Sequence, residues 1–147
     1  MADALRVVLV DDEDLVRSGL RLLLSNAPDI EVVAEASNGR DAVATVLDAQ
    51  PDVVLMDIRM PVMDGIAAVE KILSVHAVPI IMLTAFDTDS FILRALRAGA
   101  AGFLLKSTPP ESLMAAVRAA AAGQPLLSPQ VVDLSLIHIS EPTRRRG

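Results

Sequence analysis

Leu5-Arg6-Val7-Val8-Leu9-Val10-Asp11-Asp12-Glu13-Asp14 sets a short, nearly continuous apolar run directly against four consecutive acidic residues. A run rich in Val and Leu suits a strand covered on both faces, because such a strand has no alternate positions to give to solvent. Asp11 and Asp12 fall where that strand would end. Glu13 and Asp14 suit the first turn of a following helix, where negative charge complements the dipole. Strand, acidic loop and helix form one βα unit.

The unit returns four times along the chain. Residues 31–36, 53–56, 80–83 and 102–105 read as further strands, and 14–24, 40–49, 66–75, 90–98 and 111–122 as helices. The second strand, with Glu31 and Glu35, fits a sheet edge. Leu15, Gly19, Leu22 and Leu23 fall near one face of the first helix, and Ala42, Val43, Val46 and Leu47 near one face of the second. Breakers stand between the elements at Asn38-Gly39, Gln50-Pro51, Val78-Pro79, Ala98-Gly99 and Pro109-Pro110. Pro110 suits a first helical residue after a Ser107-Thr108 cap region. The pattern predicts a single doubly wound (βα)5 domain of α/β class, with a five-stranded parallel sheet covered by helices on both faces.

At 147 residues and 52% hydrophobic, the chain has material for one substantial core. Its net charge of -6 repels nucleic-acid phosphates, which argues against direct DNA binding by this segment. The lack of cysteine removes disulfides, thiolate metal sites and Cys nucleophiles, so any metal must be held mainly by oxygen. No run approaches bilayer length and no basic leader precedes a hydrophobic segment, so no membrane association is expected and the expected compartment is the cytoplasm. The domain is expected over residues 1–123, with a linker at 124–134 and a disordered tail at 135–147. Residues 135–146 resemble translated cloning or adapter sequence; a native basic tail with His138 and the Arg triplet is the alternative reading.

In open parallel sheets, ligands bind beyond the carboxyl ends of the strands. The polar residues expected there are Asp11 and Asp12 after the first strand, Asp57 after the third, Thr84 after the fourth and Lys106 after the fifth. Singly, each has an ordinary structural explanation: the acids as turn or cap residues, Thr84 as a strand-end hydroxyl, Lys106 as a solvated charge. Together they are chemically coherent. Converging carboxylates repel unless a cation shares the site, and an all-oxygen donor set with room for water and phosphate points to Mg2+ rather than Zn2+. A carboxylate is also a competent nucleophile toward phosphorus, and the Thr84 hydroxyl and Lys106 ammonium suit phosphoryl oxygens. Asp64-Gly65 reads as a loop before a helix, Met60 and Met63 as packing, and His76 as a loop residue.

Val8-Leu9-Val10-Asp11-Asp12-Glu13, the run from Asp57 to Gly65, Leu83-Thr84-Ala85 and the run from Gly99 to Lys106 together resemble the receiver domains of bacterial two-component response regulators, over about residues 5–123. The resemblance implies a flavodoxin-like fold with strand order 2-1-3-4-5. It implies Asp57 as phosphoacceptor, Asp12 as a direct Mg2+ ligand, Asp11 acting mainly through water, and the Arg59 backbone carbonyl as a further ligand. Thr84 and Lys106 would contact the phosphoryl group, with the small Ala85 leaving access. Phe103 takes the position of a switch aromatic, and a plain core aromatic is its other reading. Ser107 stands where many receivers have Pro, so a cis peptide after Lys106 does not carry over.

The wording of Gly102-Phe103-Leu104-Leu105-Lys106 and of residues 122–129 resembles the NarL/FixJ subfamily, in which a helix-turn-helix DNA-binding domain follows the receiver. This implies a sensor histidine kinase as partner, a homodimer, and DNA contact only through an output domain absent from this chain. The expected activity is that of a phosphoacceptor with self-phosphotransfer and autodephosphorylation chemistry, not of an enzyme acting on a separate substrate. Three other readings compete. A small-molecule phosphatase would need a substrate cap or second acid/base near Asp57. A nucleotide-binding module would need a Gly-rich or hydroxyl-rich loop where Asp11-Asp12-Glu13-Asp14 stands. A receiver fold signalling by contact alone would have no use for an intact pocket.

Overall fold

The computed structural model describes residues 4–58, 65–84, 89–124 and 126–127. The βα repeats follow in chain order: β1 (Leu5–Val10) and α1 (Asp14–Leu24), β2 (Ile30–Ala36) and α2 (Gly39–Ala49), β3 (Val53–Asp57) and α3 (Gly65–Val75), β4 (Ile80–Thr84) and α4 (Asp89–Ala98), β5 (Gly102–Leu105) and α5 (Pro110–Ala121). The five strands form a parallel sheet in the order β2-β1-β3-β4-β5, as expected, with β2 at an edge. A two-residue strand, β6 (Leu126–Leu127), adds to β5 in parallel. It falls in the stretch read as linker, and two residues are too few to carry a periodic signal.

Alternation along the strands divides the core into two layers. Val8, Val10, Val54, Met56, Ile80, Met82 and Phe103 face α2, α3 and α4, where Ala42, Val46, Val69 and Ile72 pack on them. Val7, Leu9, Val53, Leu55, Ile81, Leu83 and Leu104 face α1 and α5, against Leu24, Leu113 and Val117. Burial on both sides explains why these strands read as continuous apolar runs. Register keeps the layers level: Val10 pairs with Met56, Met56 with Met82 and Met82 with Phe103. The β2 edge is less regular, with a shift opposite Val7 and Val8 that leaves Val33 out of the pairing.

Helix ends follow local chemistry in part. Asn38 caps α2, its side chain accepting from the Asp41 backbone N–H at 2.8 Å. Gly99 ends α4 at φ +111°, and a Cβ there would meet Leu73 Cδ1 at 2.7 Å, so both backbone and space require glycine. Two expectations are corrected. Pro110 is the first residue of α5, but Ser107 and Thr108 do not cap it: Pro109 is the cap residue, and the Thr108 hydroxyl instead donates back to the Leu105 carbonyl at 2.6 Å. In α1 the inward face is Val16, Leu20, Leu23 and Leu24, while Leu15 and Leu22 are 84% and 72% exposed. Both sets have helical spacing, so periodicity alone does not choose between them. Arg17 and Arg21, both anchored on Glu35 of β2, favour the observed rotation.

Candidate functional site

The chain steps from β1 outward to β2, then crosses to the other side of β1 for β3, so the crossover direction reverses between β1 and β3. At such a switch point the connections leave on opposite faces and open a crevice at the carboxyl ends of the strands. Asp11 and Asp12 leave β1 on one side of that crevice and Asp57 ends β3 on the other. Thr84 ends β4, and Lys106 follows β5, its backbone N–H bonded to the Thr84 carbonyl at 2.7 Å. The five residues singled out from the sequence therefore do share one edge of the sheet.

One carboxylate oxygen from each of Asp11, Asp12 and Asp57 lies within 4.8 Å of the others. Asp11 is 2% exposed and Asp57 7%, whereas Asp12 is open to solvent. The buried Asp11 is well held: Oδ1 accepts the Glu13 backbone N–H at 2.9 Å, and Oδ2 meets Lys106 Nζ at 2.9 Å. Lys106 Nζ stands 3.5 Å from Asp57 Oδ1, so one ammonium spans two carboxylates. Partial burial alone would lower its pKa. The bond to Asp11 and the attraction of Asp57, Asp11 and Glu13 outweigh that, and the ammonium is held above the ordinary lysine value.

Three convergent carboxylates form an all-oxygen donor set with one exposed member, which fits a hard divalent cation that keeps part of its water shell. Among the described residues, Lys106 supplies the positive charge close to them, one ammonium against three carboxylates. Thr84 is buried at the same edge. Phe103 is fully buried in the layer facing α2, α3 and α4, level with Met82. Arg59, Met60, Met63, Asp64 and Ala85 lie outside the described residues, so the expected Arg59 carbonyl is not among the atoms placed here.

Sequence reasoning passed over two residues that shape this edge. At Gly65 an added Cβ would come to 2.5 Å from the Asp57 backbone oxygen and 2.8 Å from Ile58 Cα, so the start of α3 seats against the end of β3 only because the side chain is missing. Its signal in the sequence was just a glycine at a helix start. Arg17 donates from Nη1 to the Asp11 backbone carbonyl, at the root of the pocket. Its signal was weaker still, a single charge inside an amphipathic helix.

Comparison with known proteins is consistent with this geometry. The chain is 46% identical over 125 residues to the uncharacterized transcriptional regulatory protein YxjL of Bacillus subtilis, covering 83% of this chain and 56% of that protein. It is 42% identical over 128 residues to the transcriptional regulatory protein LiaR of the same organism, covering 86% and 61%. The chain thus spans little more than half the length of these curated relatives. Among solved structures, the signal receiver domain of NarL from Mycobacterium tuberculosis superposes with a TM-score of 0.81 at 35% identity, covering 84% of this chain and all of that one (100%). A LuxR-family two-component response regulator from Aurantimonas sp. SI85-9A1 gives 0.86 at 34% identity, covering 95% and 100%. The family model for the response regulator receiver domain matches residues 7–118, from within β1 to within α5. Because that segment contains the whole edge cluster and most of the chain, the protein belongs to the response regulator receiver domain family.

Proposed function

We propose that this receiver domain takes a phosphoryl group onto Asp57 from the phosphohistidine of a sensor kinase. The observation that carries the reading is the meeting of Asp57, two further carboxylates and the Lys106 ammonium at one strand edge. A carboxylate oxygen of Asp57 forms the new bond to phosphorus as the phosphorus–nitrogen bond of the donor breaks, and the imidazole leaves. Lys106, poised between Asp11 and Asp57, and the Thr84 hydroxyl stabilise the charge on the transferring oxygens. Asp11, Asp12 and Asp57 would hold Mg2+, with the Arg59 carbonyl as a further ligand, and the ion would shield the carboxylates and neutralise phosphoryl charge. The domain is then a phosphoacceptor with self-phosphotransfer and autodephosphorylation chemistry, not an enzyme with a separate substrate.

The surface beside the pocket supports a protein donor. Leu15 and Leu22 stand exposed on α1, and a groove of about 380 Å3 between α1 and α5, lined by Leu15, Val16, Leu20 and Leu113, has Lys106 on its wall. A kinase helix seated there would bring its phosphohistidine to Asp57. Phosphorylation would then favour a second conformation involving Thr84, α4 and the rotamer of Phe103, and α5 with its neighbours would form a homodimer or output face. In a longer parent protein, DNA would be bound by an output domain, in keeping with the transcriptional regulators this chain resembles. The expected compartment is the cytoplasm; no helix among the described residues is long and apolar enough to cross a membrane.

Intact mass after incubation with Mg2+ and a small-molecule phosphodonor tests the chemistry. A single phosphoryl adduct is expected, absent in Asp57→Asn and absent with chelator. A phosphorylated kinase should give the same adduct, more slowly in Leu15→Asp while the small donor is unaffected. A folded protein that takes no phosphoryl group from either donor would instead support a receiver that signals by contact alone.

A further inference from the structure

We infer that Arg17 is a positioning residue for the metal pocket: it fixes the Asp11 carbonyl, and with it the Asp11–Asp12 peptide, so that the Asp12 carboxylate meets those of Asp11 and Asp57. The inference rests on the reading of that pocket as a Mg2+ site.

The β1–α1 connection is short, and it carries two of the three carboxylates. Its helical end is weakly anchored by other means. Glu13, at the cap position of α1, makes no side-chain cap bond, and the one buried residue of α1 is Leu24 at its far end. Near the start, Leu15 points to solvent. Arg17 supplies the missing anchor with a single planar group. Nη1 donates to the Asp11 carbonyl, Nη2 to Asp14 Oδ1, and Nε to Glu35 Oε1 at 3.0 Å. The fork therefore ties the first and last residues of the turn to each other and to β2, with Asp12 and Glu13 spanned between them.

Charge is not the means. Arg17 and Arg21 are matched by Asp14 and Glu35, so this group is neutral as a whole and projects little field into the pocket. What reaches the pocket is the hydrogen bond to the Asp11 carbonyl. Both side-chain oxygens of Asp11 are already engaged, by the Glu13 N–H and by Lys106, which leaves the carbonyl as the handle by which the peptide is set. Lysine at this position would keep the charge, but its compact ammonium lacks the fork that serves three acceptors at once.

The test titrates Mg2+ calorimetrically into the metal-free full chain, as wild type, Arg17→Lys, Arg17→Met and Glu35→Gln, with the melting temperature of each metal-free protein measured alongside. Groups that orient metal ligands are commonly worth about tenfold in metal affinity, and a loss of that size is expected in both Arg17 variants. Glu35→Gln retains the bond to the Asp11 carbonyl and should stay within about twofold of wild type, although it lowers the melting temperature as well. A merely structural role would make affinity follow stability across the three variants. Wild-type affinity in Arg17→Lys and Arg17→Met would overturn the inference, as would an equal loss in Glu35→Gln. Should Arg17→Met fail to fold, Arg17→Lys decides. A wild type that binds no Mg2+ would remove the reading of the pocket and this inference with it, whereas normal wild-type binding with unchanged variants removes the inference alone.

Discussion

Two charged clusters lie on either side of the β1–α1 turn, and they are built on opposite plans. Around Glu35, two guanidiniums face two carboxylates: Arg17 and Arg21 against Glu35 and Asp14. At the strand edge, among the described residues, three carboxylates face the ammonium of Lys106. The first is charge-balanced and needs nothing further. The second keeps like charges within 4.8 Å of each other, an arrangement that costs stability unless a cation enters. A structural ion network balances its own charges, whereas a site built for a cation brings carboxylates together where that cation would sit.

The largest test of this contrast is Mg2+ itself. If the edge cluster is a cation site, saturating Mg2+ should raise the stability of the wild type by about 2.7 kcal/mol at a hundredfold excess over its dissociation constant, and chelator should reverse the gain. The same addition should leave Asp57→Asn much less stabilised, as followed by thermal or urea melts. Without metal the two clusters should respond to neutralisation with opposite signs. Asp57→Asn takes one negative charge away from Asp11 and Asp12 and should stabilise the metal-free fold by roughly 1 kcal/mol, the repulsion of two unit charges about 4 Å apart in a water-like dielectric. Glu35→Gln leaves two guanidiniums with one carboxylate and should destabilise by up to about 1 kcal/mol. Equal signs for the two substitutions would mean that the clusters are not built on opposite plans.

The contrast also marks what could be read from the sequence. The strands were legible because those covered on both faces leave nearly unbroken apolar runs, and the described elements begin or end within about a residue of the expected bounds. Asp11, Asp12, Asp57, Thr84 and Lys106 were legible because each stands at a strand's carboxyl end, where topology alone gathers them. The rotation of α1 was not, since Leu15-Gly19-Leu22 and Val16-Leu20-Leu23 are equally good helical stripes and the choice depends on Glu35, a partner on another element. Arg17 and Gly65 act through backbone atoms, the Asp11 carbonyl in one case and the Asp57 carbonyl and Ile58 Cα in the other. A contact to the main chain leaves no complementary residue type to look for.

The smallest effect distinguishes the clusters by pH. The chain has no tyrosine or cysteine, and its lysines are Lys71 and Lys106, so few side chains titrate on the alkaline side below the range of arginine. Burial would lower the Lys106 pKa, but its bond to Asp11 and the attraction of Asp57, Asp11 and Glu13 raise it above 10.5. A group whose folded pKa is raised contributes stability that is whole below the unfolded value and is lost as pH climbs through the folded one. The wild type should therefore lose stability above about pH 10, by less than about 1 kcal/mol given that the ammonium is partly exposed and screened. Lys106→Met should lack this loss over the same interval, while Glu35→Gln, whose partners are guanidiniums that stay charged, should retain it. The measurement is a series of metal-free urea melts from neutral to alkaline pH. If Lys106→Met and the wild type decline in parallel, the ammonium is not what holds the surplus carboxylates together, and the edge cluster must be stabilised in some other way.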